Sequence, residues 1–308
     1  FTFTLVALER LLRGRARYHG ALARGEAVIP RRLTGVRGWL AALLPVLLLI
    51  VVLAAPLLQL TIWAVRSLGE GAGAAALASA AINSLLLASV AAIVTVCAAT
   101  LIAYGRRTSP SRVGAVAANL SSLGYAVPGT VVAVAVYTPL AWIDRRLAGR
   151  ADAWLGLDLP LLFTGTLLGL VLAYLVRFHA LALSAVTTRM ERIEPALDDA
   201  ARSLGADHPR VLSDIHVPLL WPGILTAGLL VFVEVMKELP VTALLRPLGG
   251  DTLAVTVWEA TKDSRFDTAA LPALLIVAVG LVPVIGLVRL SRAGDPAAEE
   301  PLMLGSPG

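Results

Sequence analysis

The sequence predicts an all-α membrane protein with six transmembrane helices and a two-helix cytoplasmic loop. Three observations carry that reading. Of the 308 residues, 57% are hydrophobic and only 15% charged, and the mean hydropathy of +0.80 is too high for a soluble domain. The apolar residues gather into stretches of roughly 20 or more, the length a helix needs to cross a hydrocarbon core of about 30 Å. Those stretches are runs of Leu, Ala and Val without strand alternation. Backbone groups in lipid find no water, so helices rather than barrel strands satisfy them here.

In chain order, residues 1–38 carry Arg10, Arg13, Arg15, Arg17, Arg24, Arg31, Arg32 and Arg37 against Glu9 and Glu26, and read as a cytoplasmic linker. The apolar stretch Phe1–Leu8 ahead of it is too short to span and lacks the order of a signal peptide, so an upstream polypeptide is expected. The first transmembrane helix falls within 39–66, with Pro45 and Pro56 as kinks. A core covers 79–290, with spans at 82–104, 113–141, 161–183, 217–245 and 270–289. Pro128-Gly129 breaks the second of these core spans. Loop 142–160 is mixed in charge, and connector 246–268 is polar. Residues 291–308 form a disordered tail. Six crossings from a cytoplasmic linker leave both termini inside. The clusters Arg106/Arg107/Arg112 and Arg189/Arg192/Arg202/Arg210 agree, whereas Arg145, Arg146 and Arg150 fall on the outer side.

The polar segment 184–216 holds the most information. Pro195 opens a helix with acidic residues in its first turn, where the helix dipole favours them. Gly205 suits a left-handed C-terminal cap, Pro209 opens a second short helix, and Pro218 begins the next span. Asp199-Ala200-Ala201, Gly205, Ile215, Val217 and Pro218 then match, in residue type and spacing, the EAA loop of ABC importer permeases, with Asp for the usual Glu and Val for the usual Leu. The chain resembles that family over roughly residues 40–290. The resemblance implies a type I importer permease fold, with 191–216 as the coupling loop that docks into a cytoplasmic ATPase subunit. Tyr125–Gly129, Val235–Pro247, Asp251–Ala254 and Trp258-Glu259 look like ferric-iron importer permeases, often fused duplicates of two halves. The basic linker resembles their inter-half connector, which makes this chain similar to a C-terminal half.

Glu234, Lys237 and Glu238 interrupt the apolar run 217–245, and Pro240 follows them. Ionisable groups in lipid cost about 2.5–3.5 kcal/mol each on insertion scales, so they face a cavity or a partner. Spaced three and four apart they share one helical face, either as a translocation path or gate or as an ion pair that fixes packing. His179, His208 and His216 form no recognisable ligand set and read as polar loop residues. Cys97 reads as a small buried packing residue.

The net charge of +5 follows from basic loops between spans and gives no nucleic-acid signal. Neither Lys237 nor Lys262 follows the glycines of a phosphate loop, so no catalytic residue, metal or directly bound cofactor is expected. The resemblance assigns ATP and Mg to an ATPase dimer, cargo recognition to a substrate-binding protein, and the other side of the path to a second permease half. It places the whole in the cell inner membrane. Ferric iron is the expected cargo; thiamine, polyamine or sulfate permeases share the pattern. A different class, an ion-coupled secondary transporter using Glu234 and Glu238, needs no docking loop.

Overall fold

A computed structural model describes residues 35–69, 74–109, 114, 116, 121–156 and 160–293, and among them there are helices and turns but no strand. The expectations for residues 1–34 and for the tail beyond 293 lie outside that range. The chain divides into two compact units, Phe1–Ala55 and Pro56–Gly308. Among the described residues, five helical segments are long and apolar enough to cross a membrane: Val36–Leu68, Ala74–Thr108, Leu167–Met190, His208–Met236 and Phe266–Gly286.

In the first unit, α1 (Val36–Leu49) buries none of its residues and passes into a π turn, Ile50–Ala54. Pro56, two residues on, has no N–H to return to Val52, and the wider turn accommodates the lost bond. In the second unit, α2 (Ala55–Gly69) sets Trp63 on Phe266 at 5.8 Å.

The core of the second unit is the mutual packing of α3 (Ala74–Thr108), α5 (Leu167–Met190) and α8 (Val217–Met236). On α3 the buried face is a stripe of small residues: Ala80, Ser84, Ala88, Ala91, Ala92, Thr95 and Ala99. Small side chains let helix axes approach closely, the main source of adhesion where lipid removes the hydrophobic drive. Cys97 is exposed, on the opposite side of α3 from that stripe, so it is not the buried packing residue its apolar setting suggested.

The region of the expected span 113–141 is built differently. A 3₁₀ turn, Ser122–Tyr125, lies against α5 so closely that a Cβ on Gly124 would run into the Val176 carbonyl. Pro128 then adopts an extended backbone (φ −54°, ψ 138°) and caps α4 (Gly129–Leu155). The Pro-Gly pair thus starts a helix, and α4 runs on through most of the expected loop 142–160 to a left-handed Gly156. Asp144, Arg145 and Arg146 keep α4 out of the five apolar segments. Asp144 is buried and accepts the backbone N–H groups of Leu162, Phe163 and Thr164, fixing the chain's entry into α5. Such a pairing is what a buried carboxylate requires.

The expected span 217–245 is likewise divided. A continuous helix from His208 ends at Met236, the chain breaks at Lys237–Leu239, and a short α9 (Pro240–Leu245) follows. The polar connector contains a further helix, α10 (Leu253–Lys262), capped by the Thr252 hydroxyl and packed on α11 (Phe266–Ala293). α11 reaches three residues past the expected end of the core at 290.

Candidate functional site

The loop 191–216 forms α6 (Pro195–Ser203) and α7 (His208–Val211). Between them Gly205 takes φ +86°; its N–H reaches the Arg202 carbonyl (3.0 Å) and the Ala206 N–H the Ala201 carbonyl (3.0 Å). This paired closure is the Schellman motif, which needs a residue at ease in the left-handed region. The Asp207 carboxylate then accepts the Arg210 N–H at 3.1 Å and caps α7, with Pro209 in its first turn. α7 does not stop. It passes through a π turn, Leu212–His216, into α8, so Pro218 lies inside a continuous helix instead of beginning one. The bond Pro218 cannot return to Asp214 is absorbed by the π turn just before it, as at Pro56.

Around the first turn of α6 the loop is fastened to the helical core. The Asp198 carboxylate accepts from Arg107 Nε of α3 and pairs with His216 Nε2, both at 2.7 Å. Arg107 Nη1 also donates to the Met190 carbonyl at the end of α5 (3.0 Å). The Tyr104 hydroxyl donates to the His208 carbonyl (2.8 Å), and its ring meets the buried His216 edge-on at 5.1 Å. Burial pushes the Asp198 carboxyl up, but the Arg107 and His216 hydrogen bonds outweigh it and hold the carboxyl below the usual range. One carboxylate therefore ties α6 to α3 and to the root of α8. His216 is fully buried in this clamp and is not a polar loop residue.

The motif residues divide by face. Ala201 is buried against the core and Ile215 is half-buried. Asp199, Ala200, Gly205 and Pro218 are exposed, and Asp199 pairs with Arg202 on its own helix (2.8 Å). Leu204, at the tip, is 89% exposed. Asp198, Arg107, Tyr104 and His216 stand outside the motif, and the sequence reading misses their roles. Asp198 is three residues before Ala201 and shares its face, so the helical period holds the clue. Arg107 reads in sequence only as one of several loop charges.

The charges near the end of α8 do not share a face. Glu234 and Lys237 pair at 2.9 Å on a partly exposed side. Glu238 falls beyond the last helical turn, is 6% exposed, and meets Arg177 Nε of α5 at 3.0 Å. Its other oxygen accepts the Val241 N–H (3.2 Å), which starts α9 just after Pro240. Arg177 Nη1 also donates to the Val127 carbonyl (3.2 Å), beneath the Pro128 break. A second arginine, Arg246, pairs with Asp251 (3.1 Å) and Glu259 (2.8 Å), joining α9 to α10. The helix break before Pro240 is what turns Glu238 away from Lys237.

A helical core with a protruding loop fastened to its base has the form of a permease subunit. The chain belongs to the family of binding-protein-dependent transport system inner membrane components, whose model matches residues 95–297. It is 26% identical over 237 residues to an Fe(3+)-transport system permease protein, FbpB 2, of Haemophilus influenzae, covering 76% of this chain and 44% of that one. It is 31% identical over 133 residues to a putative 2-aminoethylphosphonate transport system permease protein of Salmonella typhimurium (43% and 50%). It is 26% identical over 154 residues to the putrescine permease PotI of Escherichia coli (46% and 55%). The chain spans about half the length of the curated relatives it matches. A bacterial ABC transporter that imports alginate has the same fold, with TM-score 0.63, 19% identity, and 84% of this chain and 97% of that one covered. The chain is thus a membrane permease component of an ABC import system, in line with the expectation from its loop.

Proposed function

We propose that this chain is half of the transmembrane path of an ATP-driven importer, and that α6 and the Gly205 turn are the contact with a separate ATPase dimer that carries ATP and Mg. The observation that supports this is the two-sidedness of α6. Asp198 and Ala201 anchor one face to the core, while Leu197, Asp199, Ala200 and Leu204 stand exposed on the other. An exposed leucine at the tip of a fastened helix gains by burying its apolar surface in a partner's cleft. A second permease half completes the path, and a substrate-binding protein delivers cargo from outside; the alginate transporter was solved in complex with such a periplasmic protein. The assembly resides in the inner membrane with both termini cytoplasmic.

Ferric iron is the cargo we favour, because the Fe(3+) permease relative is matched over 76% of this chain, against 46% or less for the phosphonate and putrescine permeases cited above. An ion-coupled secondary transporter using Glu234 and Glu238 is disfavoured, since both carboxylates are engaged by cations of this chain. For the path itself, Glu238 with Arg177 is better read as a strut under the Pro128 break, and Glu234 with Lys237 remains the pair facing outward from α8.

Co-purification with the ATPase encoded beside this gene tests the coupling reading. Retention by the wild type and loss in Gly205→Arg, with membrane abundance unchanged, is the expected result. Retention by both would place the docking surface elsewhere. Uptake of radiolabelled iron against putrescine, in cells lacking the endogenous systems, then decides the cargo.

A further inference from the structure

Beside the clamp, on the side of the coupling loop, a pocket of about 240 Å³ opens between the ends of α3 and α5. It is lined by Ala103, Arg106, Arg107, Thr187, Met190 and Glu191. That volume is below the range of about 300–1,000 Å³ typical of whole small-molecule sites, so it fits a headgroup rather than a complete organic ligand. Two of its lining side chains carry a buried polar atom with no partner among the described residues: Arg107 Nη2 and Thr187 Oγ1. Both are unusual. The other two nitrogens of Arg107 are engaged by Asp198 and Met190. The neighbouring Thr188 donates to the Ser184 carbonyl four residues back, as helical threonines do, whereas Thr187 does not. Leaving such groups buried and unpaired is unfavourable, and a ligand oxygen would relieve it.

The lining also fixes the charge of a ligand. Arg106 is exposed at its mouth, and the two arginines outnumber the single carboxylate of Glu191. Asp198 pairs with Arg107 from outside the lining, so the charges left at the opening are Arg106 and Glu191, and among the described residues no ion pair holds Arg106 away from a ligand. The apolar members Ala103 and Met190 suit the first acyl-chain methylenes of a lipid better than water. A basic pocket between membrane helices, at the end of an apolar span, is where acidic headgroups bind.

From this we infer that the pocket between α3 and α5 is a binding site for the phosphate of an anionic phospholipid headgroup, held by Arg106, Arg107 Nη2 and the Thr187 hydroxyl. Because Arg107 also holds Asp198, a bound headgroup braces the clamp and so the coupling helix; this consequence, unlike the binding, rests on the coupling role proposed above. Inorganic phosphate offers the same oxygens without the glycerol, and a zwitterionic choline headgroup adds a cation facing Arg106.

Native mass spectrometry of the full chain in detergent tests the site, with added phosphatidylglycerol or phosphatidylcholine. Wild type is expected to retain phosphatidylglycerol, and Arg106→Gln/Thr187→Val to lose at least tenfold in affinity. Neither change touches the Asp198 contacts, and unaltered thermal unfolding without lipid verifies the variant's fold; Arg106→Gln alone, with a smaller loss, replaces it if the pair is unstable. Equal retention by the variant, or equal retention of phosphatidylcholine, overturns the inference. So does a thermal shift from inorganic phosphate as large as that from phosphatidylglycerol, which assigns the pocket to a soluble anion. No ATPase is present in this experiment, so binding here with failed ATPase retention would sink the coupling reading and leave the site standing.

Discussion

Asp198 and Asp199 are adjacent, acidic and on one helix, yet their surroundings give them opposite roles. Asp198 lies between Arg107 and His216 with 13% of its side chain exposed, while 75% of the Asp199 side chain is exposed. Removing one partner of a buried charge pair strands the others, at a cost of about 3–5 kcal/mol. An exposed pair such as Asp199 with Arg202 is worth about 1 kcal/mol or less. Asp198→Ala is therefore expected to lower the thermal midpoint of the purified chain by several degrees, and Asp199→Ala to leave it almost unchanged. If Asp199→Ala proves as damaging to stability as Asp198→Ala, the division between anchored and exposed faces of α6 is wrong. The Asp198 carboxyl is held below its ordinary value, so its contribution is complete above the unfolded value of about 4 and fades only as pH drops through the lower folded value. Unfolding midpoints of wild type and Asp198→Ala should accordingly converge under acid conditions, not alkaline ones. The EAA-like spacing points to Asp199 and is silent about Asp198, because the position before the Asp-Ala-Ala run is not one that the pattern fixes. What holds the loop from behind is legible only as a three-residue step to Ala201, and its distant partner Arg107 is not legible at all.

Among whole elements, the glycines show which backbone paths the sequence enforces. Gly205 is legible because a left-handed cap between two helix openers has few alternatives. Gly124 is not, since its constraint comes from α5, far along the chain. A Cβ there meets the Val176 carbonyl, and a backbone atom cannot step aside as a side chain can. Gly228, inside α8, has open space for 4 Å around the place a Cβ would take. Gly124→Ala is expected to destabilise the chain by about 1–3 kcal/mol, as overpacking does. Gly228→Ala should be neutral or gain about 0.5–1 kcal/mol from the lower entropy of alanine in a helix. Denaturation of the two variants side by side checks this, and equal losses would count against the close seating of the 3₁₀ turn on α5. The prolines follow the same division between local and distant causes. Pro128 reads as a break and is one, whereas Pro218 reads as a helix start and is not: proline chemistry is compatible with both, and the preceding π turn has no sequence signature. The break at Lys237–Leu239 is hidden in turn by the apolar run around it, and with it the Glu238–Arg177 pair.

For the molecule as a whole, the path of α4 relative to the membrane decides the topology. Among the described residues five helical segments are long and apolar enough to cross, and the sixth expected crossing falls where the chain turns at Pro128 and then carries Asp144, Arg145, Arg146 and Arg150 within a helix. Three arginines outside conflict with the positive-inside tendency. The side chains soften that conflict. Asp144 is satisfied by three backbone N–H groups, and the Arg146 guanidinium lies 4.9 Å from the Trp142 ring centre, an arrangement suited to the interface between lipid and water. An even number of crossings is also what the basic charge of residues 9–38 leads one to expect. The exposure of Cys97 makes the test simple, because Cys97→Ala removes the only native thiol at little cost in stability. In that background Arg150→Cys is expected to react with a membrane-impermeant maleimide in intact cells, and Ser203→Cys only after the cells are opened. Should Arg150→Cys be protected until lysis, Arg150 and the coupling loop would share one face of the membrane, against the placing of the Asp144 and Arg107 contacts at opposite ends of α5, and the six-crossing reading fails.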